Sequence, residues 1–223
     1  MKNIENNIKN LKKKIQKILK INFSYSKIIK IIAASKNQST EKIQTAISYG
    51  IYEFGENYVK EGVEKIKKLK KYKNIIWHFI GKLQSKKTKL VAQHFDWCQT
   101  IDREKIAFLL NKNRKNTQLR MNVLMQINIS QETNKNGVDI KNYKSLAQFI
   151  NQMPNLNFRG IMAMPKKHRT KYYDYENIKN IFYTLKDKYD SVDTLSLGTS
   201  FDLKESIINE SNMIRIGKKI FNN

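Results

Sequence analysis

Short apolar runs alternate with polar, amphipathic segments along the chain from about residue 29 to the end. Runs of this length that are rich in Ile, Val, Phe and Met are typical of buried strands. We predict eight strands, over about residues 29–34, 51–54, 75–80, 97–101, 122–129, 157–162, 194–197 and 213–216. The segments between them predict helices over about residues 40–49, 57–71, 84–93, 102–112, 142–152, 173–189 and 202–209, followed by a short terminal helix. Ser39 or Thr40, and later Asp102, are the expected helix caps.

Strict alternation of strand and helix is typical of an α/β fold with a parallel sheet covered by helices. Eight such units in 223 residues fit a (β/α)8 barrel of the TIM type better than an open doubly wound sheet. The open sheet stays as the alternative, because a strand count from one sequence is easily wrong by one. Only two prolines and no Ser/Gly-rich linker interrupt the chain. We therefore predict one domain over residues 1–223, with a leading helix and connection over 1–28 and the barrel over 29–223.

The first twenty residues mix lysine and isoleucine at helical spacing, which predicts an amphipathic opening helix. They lack the apolar core and the small-residue cleavage site of a secretory signal. No apolar run approaches the roughly 20 residues that a membrane span needs, so we expect no membrane partner. The single cysteine, Cys98, excludes an internal disulfide and suits the reducing cytoplasm. Because Cys98 lies in an apolar strand, we expect an inert core thiol.

The formal net charge is +24, which makes binding to polyanions a hypothesis that has to be weighed. The lysines are spread from end to end, and Asn and Ile are abundant as well. Since AT-rich codons specify all three residues, genome composition is the simpler explanation of the charge. We expect a solvated coat that binds nucleic acid only non-specifically, and more weakly as salt rises. A basic RNA-binding protein is the least favoured function, because no RNA-binding motif is present.

Metal chemistry has little support in the sequence. His78, His94 and His168 are far apart along the chain, and no cluster of Cys or carboxylate residues completes a site. We expect no metal.

The candidate chemistry lies where predicted strands end, since barrels of this type carry function at the carboxyl ends of their strands. The first strand ends in ASK at 34–36. Partial desolvation there would lower the pKa of the Lys36 amine and favour its attack on an aldehyde. The alternative is an ordinary surface lysine that begins a loop.

The last two strands end in LGTS at 197–200 and RIGK at 215–218. Backbone N–H groups and hydroxyls in such loops often bind phosphate. Together with a reactive lysine after the first strand, they suit a phosphorylated aldehyde cofactor, with Arg215 pointing at its ring. The alternatives are separate roles for these residues. Thr199 and Ser200 could be plain helix caps, and Arg215 could be a core ion-pair partner. Each role is plausible for its own residue but does not explain why all of them occur together.

Two further blocks are open to more than one interpretation. FGEN at 54–57 offers Asn57 as a hydrogen-bonding group for the barrel mouth, although Glu56 and Asn57 would serve equally as a helix cap. WHFIGKLQS at 77–85 puts His78 inside an apolar strand, either as a core residue or facing a pocket.

These segments, in order over about residues 30–221, resemble the YggS family of pyridoxal 5'-phosphate (PLP) homeostasis proteins. The motifs are ASK at 34–36, FGENY at 54–58, WHFIGxLQSxK at 77–87, LGxSxDL at 197–203 and MxRIG at 213–217. The resemblance implies a fold-type III barrel like the N-terminal domain of alanine racemase, monomeric or weakly associating, with PLP as a Schiff base on Lys36.

The resemblance also assigns roles around the cofactor. It implies that Ser200 and the backbone of Gly217 hold the phosphate and that Arg215 faces the pyridine nitrogen. Asn57 is expected near the cofactor, and His78 and Met162 next to the pocket.

The sequence departs from the family pattern at three positions. Lys218 stands where a small hydroxyl residue often follows the glycine, Thr199 replaces a commoner methionine, and Phe201 replaces the usual acidic residue. A backbone contact to phosphate survives the change at Lys218, whose charge could even add to the site. PLP binding stays the expectation, and its affinity stays open.

A PLP racemase needs a base on each face of its substrate adduct. In the alanine racemases the second base comes from a C-terminal domain, for which this chain has no counterpart after its eighth strand. An arginine on the pyridine nitrogen would also weaken the electron sink. The resemblance therefore implies a carrier that delivers PLP to apo-enzymes in vitamin B6 homeostasis, without robust catalysis; a slow amino-acid racemase or lyase is the alternative.

Overall fold

Eight parallel strands close into one barrel, in chain order, in a computed structural model that describes residues 2–23, 27–115, 117, 119–130, 136–165 and 171–222. The strands are β1 Lys30–Ala34, β2 Glu53–Glu56, β3 Ile76–Phe79, β4 Trp97–Ile101, β5 Met121–Ile127, β6 Leu156–Ala163, β7 Thr194–Ser196 and β8 Met213–Ile216. The barrel closes where β1 pairs with β8, and Ile32 lies opposite Arg215 there. The predicted (β/α)8 barrel is confirmed, and the open sheet is excluded.

Helices connect the strands and cover the outside of the barrel. They are α1 Lys2–Phe23, α2 Thr40–Ser48, α3 Val59–Lys68, α4 Thr88–His94, α5 Glu104–Arg114, α6 Tyr143–Asn151, α7 Lys171–Lys188, α8 Leu203–Ile208 and α9 Lys218–Phe221, with short 3-10 turns at Ser85–Lys87 and Ile140–Asn142. No helix in this described part of the chain is long and apolar enough to cross a membrane.

Two local predictions need correction. The second strand was expected at 51–54 but lies at Glu53–Glu56. Ile51 is buried, yet its N–H donates to Ala46 at the end of α2, so an apolar residue here marks burial and not strand pairing. Helix α5 begins after Arg103, and the carboxylate of Asp102 pairs with that arginine instead of capping the helix.

Alternation along the strands divides the barrel into two packed layers. One set of side chains points outward under the helices, as Ala33 and Phe54 do. The other set fills the barrel interior and includes Ile32, Trp97, Leu124, Met162 and Met213. Fully burying each large apolar side chain stabilises the fold by about 1.5–3 kcal/mol.

The predicted amphipathic helix is α1, which packs against the outside of the barrel beside α9 and α2. Its apolar side chains are buried at helical spacing: Ile4, Ile8, Leu11, Ile15, Ile18 and Leu19. The side chain of Asn7 donates to the carbonyls of Ile220 and Asn222, at 3.2 and 3.0 Å. The hydroxyl of Tyr49 donates to Glu5 at 2.7 Å. The Asn7 contacts join the first helix to the last, and the Tyr49 contact joins it to the end of α2.

Candidate functional site

The loops after β1, β7 and β8 enclose a cleft of about 310 Å³ at the carboxyl ends of the strands. Six of the nine residues singled out from the sequence line it: Lys36, Thr199, Ser200, Arg215, Gly217 and Lys218. Parallel strands bring their carboxyl ends to one mouth, which is why residues 36 and 200, far apart in sequence, meet here.

Lys36 lies on the turn that follows β1, at the rim of this cleft. The expected partial desolvation of its amine is wrong, because the side chain is exposed. The strand ends at Ala34, and the turn through Asn37, whose φ of 59° is left-handed, carries Lys36 out of the packed layer. The amine is thus open to a ligand that enters the cleft from solvent.

The loop after β7 is organised by Asp202. Both the backbone N–H and the hydroxyl of Thr199 donate to one oxygen of Asp202, at 2.8 and 2.6 Å. The hydroxyl of Tyr175 donates to the other oxygen at 2.9 Å. Burial alone would raise the pKa of Asp202, but hydrogen bonds from Thr199, Tyr175 and Ser206 outweigh it and hold that pKa below its usual range. The carboxylate therefore anchors the loop as an anion.

Ser200 follows in the same loop, and its hydroxyl oxygen accepts a long hydrogen bond of 3.4 Å from the backbone N–H of Lys219. That contact places the hydroxyl against the first turn of α9. The loops after β7 and β8 therefore present hydroxyl and N–H donors side by side, the donor set that a phosphate needs.

Gly217 lets the loops after β1 and β8 approach each other closely. A Cβ at this position would lie 3.1 Å from the carbonyl oxygen of Ala34, tighter than ordinary packing allows. The next residue, Lys218, places its ammonium 5.7 Å from the ring centroid of Phe201 across the cleft edge. The cation therefore lies beside the loop that follows β7.

Arg215 lies at the inner end of the cleft and is only 7% exposed. Its Nη1 donates to the backbone oxygen and the hydroxyl of Ser196, at 3.0 and 2.6 Å, and its Nη2 to the carbonyl of Ala163 at 3.1 Å. No carboxylate among the described residues forms an ion pair with it, which argues against the core ion-pair explanation. Burial lowers the pKa of Arg215 to about 10, although the negative charge of Asp202 acts to raise it. Because this pKa is still well above 7, the guanidinium stays charged at neutral pH.

A chain of hydrogen bonds runs from Arg215 through the barrel interior to the opposite side. Ser196 donates to Gln99 Oε1 at 2.8 Å, and Gln99 Nε2 donates to His78 Nδ1 at 3.1 Å. Since Nδ1 accepts, Nε2 of His78 carries the ring proton and donates to Glu53 at 2.9 Å. We call this series, Arg215–Ser196–Gln99–His78–Glu53, the interior chain. In each of its hydrogen bonds the donor is the residue nearer to Arg215.

Burial lowers the pKa of His78, and the neighbouring Glu53 does not reverse the effect. The imidazole is therefore neutral at neutral pH, as its accepting Nδ1 requires. His78 lies inside the barrel, stacked on Trp97 at 5.3 Å between ring centroids, and does not line the cleft. It reaches the cleft only through Gln99, Ser196 and Arg215.

Met162 and Asn57 are the other two predicted residues that the structure places away from the cleft. Met162 is packed among the apolar interior side chains beside Ile32. Asn57 lines a neighbouring cleft of about 440 Å³ between the loops after β2 and β3. A Cβ at Gly81 would lie 2.1 Å from the carbonyl oxygen of Asn57, so the glycine is what lets these two loops touch.

Sequence reasoning missed Gln99, Ser196 and Asp202, although the first two carried a readable signal. Gln99 and Ser196 lie two residues after Trp97 and Thr194, and alternate residues of a strand point to the same face. Polar residues on the inward-facing parity of short apolar strands indicate an interior polar network.

Two further predictions concern the reactivity of Cys98 and metal binding. Cys98 is fully buried, and burial raises the pKa of its thiol to about 11, in agreement with an inert core thiol. Within the described ranges, no three His, Cys, Asp or Glu residues cluster closely enough to hold a metal ion. His168 lies outside the described residues.

The chain matches the family described as alanine racemase, N-terminal domain, over residues 1–222. The pyridoxal phosphate homeostasis protein of Buchnera aphidicola subsp. Schizaphis graminum is 63% identical over 226 residues, which cover 100% of this chain and 99% of that protein. The protein of the same name from Escherichia coli K12 is 43% identical, over 86% of this chain and 85% of its own length.

Solved structures share the fold at lower identity. PipY of Synechococcus elongatus, without PLP, has a TM-score of 0.88 at 23% identity, covering 98% of this chain and 100% of PipY. PipY with PLP bound has a TM-score of 0.80 at 24% identity, covering 93% and 100%. An alanine racemase of Clostridium difficile has a TM-score of 0.75 at 15% identity, and the match covers 100% of this chain but 57% of the racemase.

Proposed function

The chain belongs to the family of pyridoxal phosphate homeostasis proteins, and we propose that it binds PLP covalently through Lys36 and serves intracellular vitamin B6 homeostasis. One observation carries this proposal: an amine after β1 and two phosphate-type loops after β7 and β8 line a single cleft. The named function of its relatives agrees with that arrangement.

The residues of the cleft match the three functional groups of PLP. The exposed amine of Lys36 suits the aldehyde, which when bound supplies reversible condensation with an amine. Ser200 and the backbone N–H groups that open α9 suit the phosphate, and Lys218 adds a positive charge beside them. Arg215 donates but cannot accept, so it suits an unprotonated ring nitrogen.

We assign the interior chain the role of holding Arg215. The Ser196 hydroxyl accepts a hydrogen bond from the guanidinium at 2.6 Å and donates one to Gln99 at 2.8 Å, which fixes its orientation. A guanidinium with two partners on Ser196 has little freedom to rotate. His78 acts on the cleft through this chain, as a positioning residue and not as a ligand.

A carrier is favoured over an enzyme by the residues that surround Lys36. Among the described residues that line the cleft, none is a tyrosine, a histidine or a carboxylate that could serve as a second base opposite the amine. We further propose a cytoplasmic monomer that hands PLP to apo-enzymes.

Borohydride reduction of the PLP-treated protein, followed by peptide mapping, tests the attachment site. We expect a pyridoxyl group on the Lys36 peptide of the wild type and its loss in Lys36→Ala. Mapping is essential because many surface lysines can react slowly with free PLP. Lys67→Ala is the matched control, since Lys67 is an exposed lysine outside the cleft and should leave the Lys36 adduct in place. An adduct spread evenly over surface peptides, or one unaffected by Lys36→Ala, contradicts the proposal.

The enzyme alternative makes a separate prediction. Incubating the PLP-loaded protein with single amino-acid enantiomers in deuterated water would incorporate deuterium at the α-carbon if the protein were a racemase. A carrier leaves the α-proton in place over the same time, and sustained exchange that disappears in Lys36→Ala would overturn the carrier assignment.

A further inference from the structure

Lys65 is a buried lysine on α3 that contacts the Lys36 turn and does not line the cleft. Its ammonium donates to the backbone oxygen of Ser35 at 2.6 Å, to Glu56 at 2.9 Å and to Glu61 at 2.6 Å. An ammonium has three N–H donors, so all of them are used. The side chain is only 8% exposed, which means that these contacts are made in a mostly dry environment.

Lys65, Glu56 and Glu61 hold both residues that flank Lys36. Ser35 is bound twice, through its carbonyl by Lys65 and through its hydroxyl, which donates to Glu56 at 2.6 Å. On the other side, the backbone N–H of Asn37 donates to Glu61 at 2.6 Å. The backbone that carries Lys36 is thus fixed immediately before and immediately after that residue.

The arrangement is not explained by stability alone. A buried ion pair seldom stabilises a fold more than apolar residues of the same volume would, because desolvation of the charges offsets their attraction. Glu56 shows this cost: burial raises its pKa despite Ser35 and Lys65, and its second oxygen has no hydrogen-bond partner. Charged groups therefore contact a turn whose central side chain, that of Lys36, is exposed.

We propose that Lys65, Glu56 and Glu61 are positioning residues that fix the backbone of the Lys36 turn and so aim its amine into the cleft. This inference rests on the proposed function, in which the amine condenses with the PLP aldehyde, forming a carbon–nitrogen double bond and releasing water. It also gives a role to Glu56 of the FGEN block, which makes no contact with the cleft.

The test distinguishes the orientation of the Lys36 amine from the binding of the phosphate and the ring. Lys65→Met is compared with wild type for the rate at which borohydride traps PLP on the Lys36 peptide. The same proteins are titrated with pyridoxine 5'-phosphate, which has the ring and phosphate but no aldehyde. We expect Lys65→Met to lower the trapping rate at Lys36 about tenfold or more, since small misplacements of a reacting group have effects of this size. Its affinity for pyridoxine 5'-phosphate should stay within about twofold of wild type, because the loops after β7 and β8 are untouched.

Lys67→Met is the matched control, because Lys67 lies on the same helix with its side chain exposed. It should match wild type in both measurements. A purely structural role for Lys65 would weaken pyridoxine 5'-phosphate binding together with trapping, and that result overturns the inference. So does an unchanged trapping rate in Lys65→Met.

A second variant keeps the test valid if Lys65→Met does not fold. Glu61→Ala removes the contacts to Asn37 and to Lys65 from a partly exposed position, and we expect the trapping rate to fall by at least about fivefold, the loss typical of one hydrogen bond. If Glu61→Ala traps PLP at the wild-type rate, the inference fails. Failure of the proposed function is distinguishable, because the wild type itself would then form no adduct at Lys36.

Discussion

The imidazole of His78 is a neutral group locked between a donor and an acceptor inside the barrel. Gln99 supplies the donor to Nδ1, and Glu53 accepts from Nε2. Asp96 and Glu53 favour the protonated ring and Lys30 disfavours it, but burial is the largest effect and lowers the pKa of His78. Protonation would place two donors face to face at Nδ1 and break the interior chain.

This pKa shift predicts a pH-dependent stability. Below about pH 6.5 a histidine in the unfolded chain takes up a proton, whereas folded His78 resists it, so the free energy of unfolding falls as the pH drops. The slope from one such group reaches about 1.4 kcal/mol per pH unit. Denaturant titrations between pH 7 and 5 should show this slope in the wild type and a smaller one in His78→Gln. His94→Gln is the comparison: burial and the charge of Lys67 also lower the pKa of His94, but this residue is partly exposed, so its replacement should reduce the slope less. Equal slopes for wild type and His78→Gln would refute the assignment.

At the scale of elements, the order of strands and helices could be predicted because apolar runs mark the strands directly. The exception, β2, shows the limit: Ile51 is apolar because it packs at the end of α2, and burial alone does not specify a partner strand. The residues of the candidate site could be predicted where they lie at the ends of strands, as Lys36 and Ser200 do. Contacts made by tertiary packing, such as that of Lys65 with Ser35, leave no pattern in the sequence.

The packing of α1 supports our proposal that the leading helix and the barrel form one cooperative domain. Ile8 is 1% exposed on α1, and removing a buried side chain of this kind destabilises a fold by about 2–5 kcal/mol. We expect Ile8→Ala to lower the free energy of unfolding by this amount while keeping a single transition. Lys13→Ala, on the exposed face of the same helix, should change it by less than about 0.5 kcal/mol. A separate early transition for α1 in chemical denaturation would argue against one domain.

At the scale of the whole molecule, the net charge of +24 surrounds the barrel with a positive field. Exposed lysines occur on different helices, for example Lys13 on α1, Lys67 on α3 and Lys219 on α9, so the charge is not confined to one face. We expect such a coat to attract anions broadly, nucleic acids included.

Salt dependence tests this interpretation of the charge. Contacts with about six phosphates would cost an RNA oligonucleotide about 10³-fold in affinity between 50 and 200 mM salt. We expect that loss in filter-binding or anisotropy measurements, whereas PLP attached through Lys36 should be retained in the same range. RNA binding that survives physiological salt would instead indicate a specific nucleic-acid function.

The burial of Cys98 has a chemical consequence for the aldehyde cofactor proposed above. Free thiols add readily to aldehydes and would compete for the cofactor. The sulfur of Cys98 is sealed beneath the helices with its pKa raised to about 11, so it can neither reach the cleft nor form a thiolate at neutral pH. The single cysteine of the chain therefore does not compete with Lys36 for the aldehyde of the proposed cofactor.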